Sequence, residues 1–131
     1  MKANVPIPPE LNIIFGKVVE AAFAVHSALG PGLLESVYEI CLFHELQKQG
    51  LKVERQVGLA VNYDGLILEE GLKLDMLVEN ILVLELKAVE KILPVHLAQI
   101  LTYLKLSGRR LGLLINFNVS RIKDGIKRVV L

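Results

Sequence analysis

Ile14, Val18, Ala21, Val25 and Leu29 recur at the three- and four-residue spacing of one helix face, and Gly30-Pro31-Gly32 ends the run. The pattern predicts a helix over Pro9–Leu29 and a second from about Leu33 to Gln49, closed by Gly50 as its C-terminal cap. After Gly50 the period shortens to that of a strand, with Val53, Val57, Leu59 and Val61 set among polar residues up to a hairpin turn at Tyr63-Asp64-Gly65. Leu66–Glu69 predicts a returning strand and Leu72–Val78 the next. Ile81–Lys87, apolar on both faces up to its charged end, predicts a central strand buried on both sides. Pro94 opens a helix running to Ser107 and ended by Gly108, Leu111–Phe117 forms another buried strand, and the tail from Ile126 to Leu131 adds an edge strand. The order ααββββαβ, without linker, repeat or low-complexity segment, predicts a single α/β domain over residues 1–131, with helices on both sides of a mixed sheet.

Composition sharpens this picture in two places. Hydrophobic residues make up 53% of the 131 residues and aromatics only 5%, so the core is aliphatic. The surplus of apolar surface on so small a chain favours a homo-oligomer. Cys41 has no partner for an intrachain disulfide or a thiolate metal site, which fits a reducing cytoplasm. Met1–Pro6 runs into prolines and no apolar run approaches bilayer length, so neither export nor membrane insertion is expected. The net charge of +1 hides an asymmetry. From Lys105 to Leu131, seven basic residues stand against Asp124 alone, a net of +6, which leaves −5 on the remainder. A basic end beside an acidic body could bring phosphates near carboxylates, and scattered solubilising lysines would give the same count.

Some charged residues sit where a core should be. Glu35 falls in line with Leu42 and Leu46 and near Tyr38, on the apolar stripe of the second helix, where a bare carboxylate would need a metal, a cation or several donors. An acid welcomed by the helix dipole is the simpler explanation. Asp75, Glu85 and Lys87 interrupt two adjacent strands that are otherwise aliphatic. Glu85 and Lys87 share a face by the two-residue period, as a structural ion pair would, but such a pair leaves Asp75 unexplained. His96, Gln99 and Tyr103 line one face of the third helix, either bordering the same cleft or facing solvent. His26, at the end of the first helix, favours that helix's dipole rather than a metal.

Whether Asp75 meets Glu85 depends on the intervening loop. A two-residue turn at Glu79-Asn80 sends the two carboxylates to opposite faces. A three-residue loop brings them to one face, with Val78-Glu79-Asn80 setting Asp75 opposite Val83 and Glu79-Asn80-Ile81 setting it opposite Glu85. The first of these is preferred, because Asn80 tolerates the left-handed conformation that ends the common three-residue loop. An odd-length loop or a bulge is therefore expected. Converging carboxylates make a hard oxygen site for Mg2+ or Mn2+. Asp75, Glu85 and the Leu86 backbone carbonyl would hold the ion, and Glu35 would complete the shell directly or through water. Such an ion can polarise a phosphodiester and lower the pKa of a bound water, which Lys87 would orient or deprotonate.

With these residues in place, the chain resembles the GxxExxY family of small bacterial and archaeal proteins, assigned to the PD-(D/E)XK nuclease superfamily. The naming motif reads Gly32-Leu33-Leu34-Glu35-Ser36-Val37-Tyr38. The likeness continues through His26, Leu29–Gly32, Leu74–Glu79, Val83–Ala88, Gln99–Leu106, Gly112–Phe117 and Asp124–Arg128, and so covers nearly the whole chain. It implies that Asp75, Glu85 and Lys87 match the superfamily's D…ExK signature, that Glu35 matches the first-helix glutamate of many members, and that Gln99 and Tyr103 are similar to the QxxxY element of nuclease domains attached to some recombination helicases and exonucleases. No proline precedes Asp75, and Lys73 stands where arginine is more usual. The resemblance implies a metal-dependent nuclease acting on DNA more than on RNA. Two readings compete with it. One is a nucleic-acid-binding or assembly module that kept the fold and lost turnover, and the other is an oligomeric scaffold whose charged residues would face apart.

Overall fold

The computed structural model describes residues 7–131, so the reading of Met1–Pro6 lies outside the described residues. Helix α1 spans Pro9–Leu29 and α2 spans Glu35–Lys48. Gly30 adopts φ 71°, which a residue with a side chain rarely takes, and turns the chain out of α1. The second helix starts two residues later than expected, because Leu33 and Leu34 are held outside it. The Leu33 N–H donates to the Tyr38 hydroxyl (3.1 Å), which itself donates to the Gly30 carbonyl (2.6 Å). α1 has the length and composition of a bilayer-crossing helix, contrary to the expectation that no segment approaches them. Here its Leu11, Ile14, Val18, Ala21, Ala22 and Val25 are buried in the core.

Five strands form one sheet in the order β1-β2-β3-β4-β5: β1 Val53–Tyr63, β2 Leu66–Val78, β3 Leu82–Lys87, β4 Leu111–Asn116 and β5 Ile126–Val130. The β3–β4 pair is parallel and the others antiparallel, with helix α3 (Pro94–Ser107) crossing between β3 and β4. The two strands expected over Leu66–Glu69 and Leu72–Val78 are one continuous β2. It runs through Gly71, where a Cβ would collide with the Val61 side chain, and the register against β1 shifts between Leu59 and Val61. α1 and α2 cover one face of the sheet, burying Met76, Val78, Leu82, Leu84, Leu86, Leu113 and Ile115, and α3 covers the other over Leu72, Leu74, Leu77, Val83 and Leu114. β3 is central and buried on both faces, as its unbroken apolar run predicts.

The β2–β3 loop has three residues, as convergence of the carboxylates requires, but they are Glu79-Asn80-Ile81 rather than Val78-Glu79-Asn80. Val78 pairs with Leu82 and Met76 with Leu84, a register that sets Asp75 opposite Glu85 rather than Val83. Two successive left-handed residues make the difference, Glu79 at φ 52° and Asn80 at φ 59°, and the Ile81 N–H closes the turn onto the Val78 carbonyl (3.0 Å). Arg109 braces it by donating to the Asn80 backbone carbonyl (3.1 Å) and to Asn80 Oδ1 (2.7 Å).

Candidate active site

The β2–β3 ladder stops at Met76–Leu84. One rung further, side chains replace backbone acceptors. The Asp75 N–H donates to Glu85 Oε2 (3.0 Å), and the Leu86 N–H donates to Asp75 Oδ2 (2.8 Å). The two carboxylates are thereby interlocked where the strands part. A residue in an extended strand directs its N–H and C=O to the same edge. Since the Leu86 N–H points to Asp75, its carbonyl faces that gap, while the Lys87 carbonyl faces β4 and accepts from the Phe117 N–H (2.9 Å).

Glu85 is only 3% exposed, and burial together with the neighbouring Asp75 charge pushes its carboxyl up to about 8. Burial likewise raises Asp75, against the lowering effect of the Leu86 N–H. Among the described residues, no ion pair involves Asp75, Glu85 or Glu35. A Glu85–Lys87 ion pair, the purely structural alternative, is absent among the described residues, and the Lys87 ammonium donates instead to Gln99 Oε1 on α3 (3.3 Å). Two desolvated carboxylates and a backbone carbonyl, with no cation paired to them, are a donor set suited to a hard divalent cation. Among the described residues, however, no three His, Cys, Asp or Glu side chains are grouped closely enough to hold an ion by themselves.

Glu35 does not point into the core as its place on the stripe suggests. It is the first residue of α2 and is exposed, and the inward acid is Glu39, one turn on and 8% exposed. Glu35 still lies within electrostatic reach of the pair. Desolvation first, and then Asp75, raise its pKa, and Lys87 opposes them. Gln99 and Tyr103 border the site. Burial followed by the charges of Glu85 and Asp75 raises the Tyr103 phenol, against the lowering effect of the neighbouring Gln99 side chain. His96 turns away and caps its own helix, accepting from the Leu93 N–H (2.9 Å). His26 fastens α1 to the loop after β4 through its Nε2 and the Val119 carbonyl (2.7 Å).

Glu39, absent from the residues expected at the site, stands at i, i+3 and i+7 with Leu42 and Leu46 and so carries the same signal as Glu35. Asn116, likewise unexpected, is a lone amide closing an aliphatic strand. Asn116 Oδ1 accepts from the Val89 N–H (3.0 Å) and its Nδ2 donates to the Val89 carbonyl (2.9 Å), which fixes the chain leaving Lys87. The basic stretch is divided by the fold. Arg109 sits at the start of β4 beside the β2–β3 turn, whereas Arg121 and Lys123 follow the far end of β4 and line a groove with His26, Ser27 and Ser120.

The family model described as the PD-(D/E)XK nuclease superfamily matches residues 12–129. The chain belongs to that superfamily. No curated protein and no solved structure matches it. PD-(D/E)XK nucleases generally use divalent metals and act on nucleic acid, and the three helices with a five-stranded mixed sheet accord with their α/β fold. The β2–β3 register sets Asp75 of one strand opposite Glu85 of the next, with Lys87 two residues further along β3.

Proposed function

We propose that the protein is a Mg2+- or Mn2+-dependent nuclease hydrolysing phosphodiester bonds, most readily in DNA, with Asp75, Glu85, Lys87 and Glu35 as its catalytic group. One observation carries the reading: Asp75 and Glu85 interlock in a desolvated gap while Lys87, the nearest candidate counter-charge, is hydrogen-bonded to Gln99 instead. Asp75, Glu85 and the Leu86 carbonyl would hold the cation, and Glu35 would complete the shell directly or through water. Bound there, a divalent cation supplies a Lewis acid and a water of lowered pKa. Lys87 Nζ, steered by Gln99, holds the attacking water and balances the charge developing on the phosphoryl oxygens. Tyr103 keeps Gln99 in place. The groove beside Arg121 and Lys123 accepts the flanking phosphates. Exposed Leu66, Ile67 and Leu68 at the tip of the β1–β2 hairpin support association between copies, and free Cys41 fits a cytoplasmic setting.

A catalytically silent nucleic-acid-binding or assembly module is favoured by a single observation, the absence of a third acidic or histidine ligand grouped with the pair among the described residues. Incubation of end-labelled single- and double-stranded DNA and RNA with the protein in Mg2+ or Mn2+ separates the two readings. Cleavage that chelator abolishes and Lys87→Met removes supports the nuclease. Binding without any cleavage in either metal supports the module.

A further inference from the structure

Residues two apart on a strand share a face. β1 and β2 obey this on either side of one rung, but with opposite phase. Val53, Met76 and Val78 belong to the core under α1 and α2, whereas Val57, Leu59, Leu72 and Leu74 belong to the core under α3. Even steps along each strand therefore change face between Val53 and Val57 and between Met76 and Leu74. No residue is inserted, since Arg55 pairs with Met76 and Val57 with Leu74 in one constant register. Both strands pivot together at Gln56 and Asp75, the single rung missing from that run of the ladder.

The pivot has an identifiable cause on β1. Gln56 takes φ 51°, a left-handed backbone that a residue with a Cβ adopts at a cost of about 1–2 kcal/mol. What holds it there is the buried Glu39 of α2. Its Oε2 accepts from Arg55 Nε (3.1 Å) and from an Arg55 terminal nitrogen (2.9 Å), and its Oε1 accepts from Gln56 Nε2 (2.8 Å). The Arg55 guanidinium also lies over the Phe43 ring at 5.4 Å. Two adjacent strand residues thus reach one carboxylate on one face, which a regular strand forbids. Opposite Gln56 stands Asp75, with its amide and carboxylate engaged by β3.

We infer that Glu39, Arg55 and Gln56 form a positioning device for the cation site: by locking the left-handed residue in β1 they reverse the faces of β1 and β2 at Asp75 and hold its carboxylate against Glu85. None of the three touches the reacting atoms. The inference rests on the metal-dependent reading above, and Mn2+ affinity of the intact protein, followed by the paramagnetic resonance signal of free Mn2+, tests both separately. Gln56→Val removes the amide and resists the left-handed backbone, Gln56→Gly removes the amide but accepts that backbone, and Glu39→Gln weakens the anchor. Circular dichroism well below the melting temperature establishes that each is folded. Gln56→Val and Glu39→Gln should bind Mn2+ roughly 10- to 100-fold more weakly, the usual loss when a group supporting a metal ligand is removed, with Gln56→Gly recovering most of the affinity. Wild-type affinity in folded Gln56→Val and Glu39→Gln overturns the inference and leaves the cation site standing. If Gln56→Val does not fold, Glu39→Gln decides alone by the same criterion. A wild type that binds no Mn2+ overturns the metal-dependent reading and the inference with it.

Discussion

Replacing Glu85 by Gln should stabilise the metal-free protein in alkaline solution while destroying its affinity for divalent cations. The carboxyl ionises near its ordinary value of 4.5 in the unfolded chain and at about 8 in the fold, because burial and the Asp75 charge both disfavour the anion. Below pH 4.5 both states are protonated and the group contributes equally to each. As pH rises, the unfolded chain releases its proton first and the folded protein keeps it until about pH 8, so stability is lost across that window and stays level above it. At roughly 1.4 kcal/mol per pKa unit, the ceiling on that loss is on the order of 5 kcal/mol. Relaxation around a buried charge returns part of it, and a gain of about 2–4 kcal/mol for Glu85→Gln at pH 9 is expected. The amide oxygen of Gln can still accept the Asp75 N–H that Glu85 Oε2 accepts at 3.0 Å, so that donor keeps its partner. For a chain of this size the gain is a rise in Tm of roughly 6–16 °C. Thermal melts in chelator at about pH 3, well below both values, and at about pH 9 measure it directly. The two proteins should coincide at the lower pH and separate at the higher, and added Mn2+ should raise the Tm of the wild type alone. Parallel pH profiles for the two proteins would refute the assignment of a strained carboxylate at position 85.

Three further outcomes follow from the same geometry. Lys87→Met should lower the cleavage rate about 10²- to 10⁴-fold in a labelled-DNA assay, the usual contribution of a positioned acid–base group, and leave Mn2+ binding by calorimetry intact; a loss of cation affinity would place Lys87 in a different role. The double change Arg121→Ala and Lys123→Ala should reduce the slope of log affinity against log salt by roughly 2 in anisotropy titrations with a DNA duplex, whereas an unchanged slope would remove the groove from the substrate path. Tyr38→Phe keeps the ring stacked on Phe117 at 4.7 Å but loses the hydroxyl that joins Gly30 to Leu33, so the urea midpoint should fall by the equivalent of about 1–3 kcal/mol with an unchanged m-value.

Most of the fold was legible because hydrophobic period and punctuation agreed. The bounds of α1 and α3 follow from Pro9, Gly30, Pro94 and Gly108, and the double-sided burial of β3 follows from its unbroken apolar run. Leu66–Val78 is one strand and not the two expected, and the close approach of Val61 to Gly71, which the sequence does not reveal, accompanies its continuity. Convergence of Asp75 and Glu85 required an odd loop, and parity alone could state that. Which three residues formed it depended on Glu79 taking a left-handed backbone, for which its residue type gives little warning. The site was least legible on α2. Both Glu35 and Glu39 fit the apolar stripe, and the tertiary partners Arg55 and Gln56, far away in sequence, decide which of the two is buried.

The most direct test of the central claim is titration calorimetry of Mg2+ and Mn2+ into the wild type and into the Asp75→Ala, Glu85→Ala double variant. Saturable binding to the wild type, absent from the folded variant, is the expected result. A wild type that takes up neither ion at millimolar concentration, even with DNA present, would contradict the account and leave the converging carboxylates without a catalytic role.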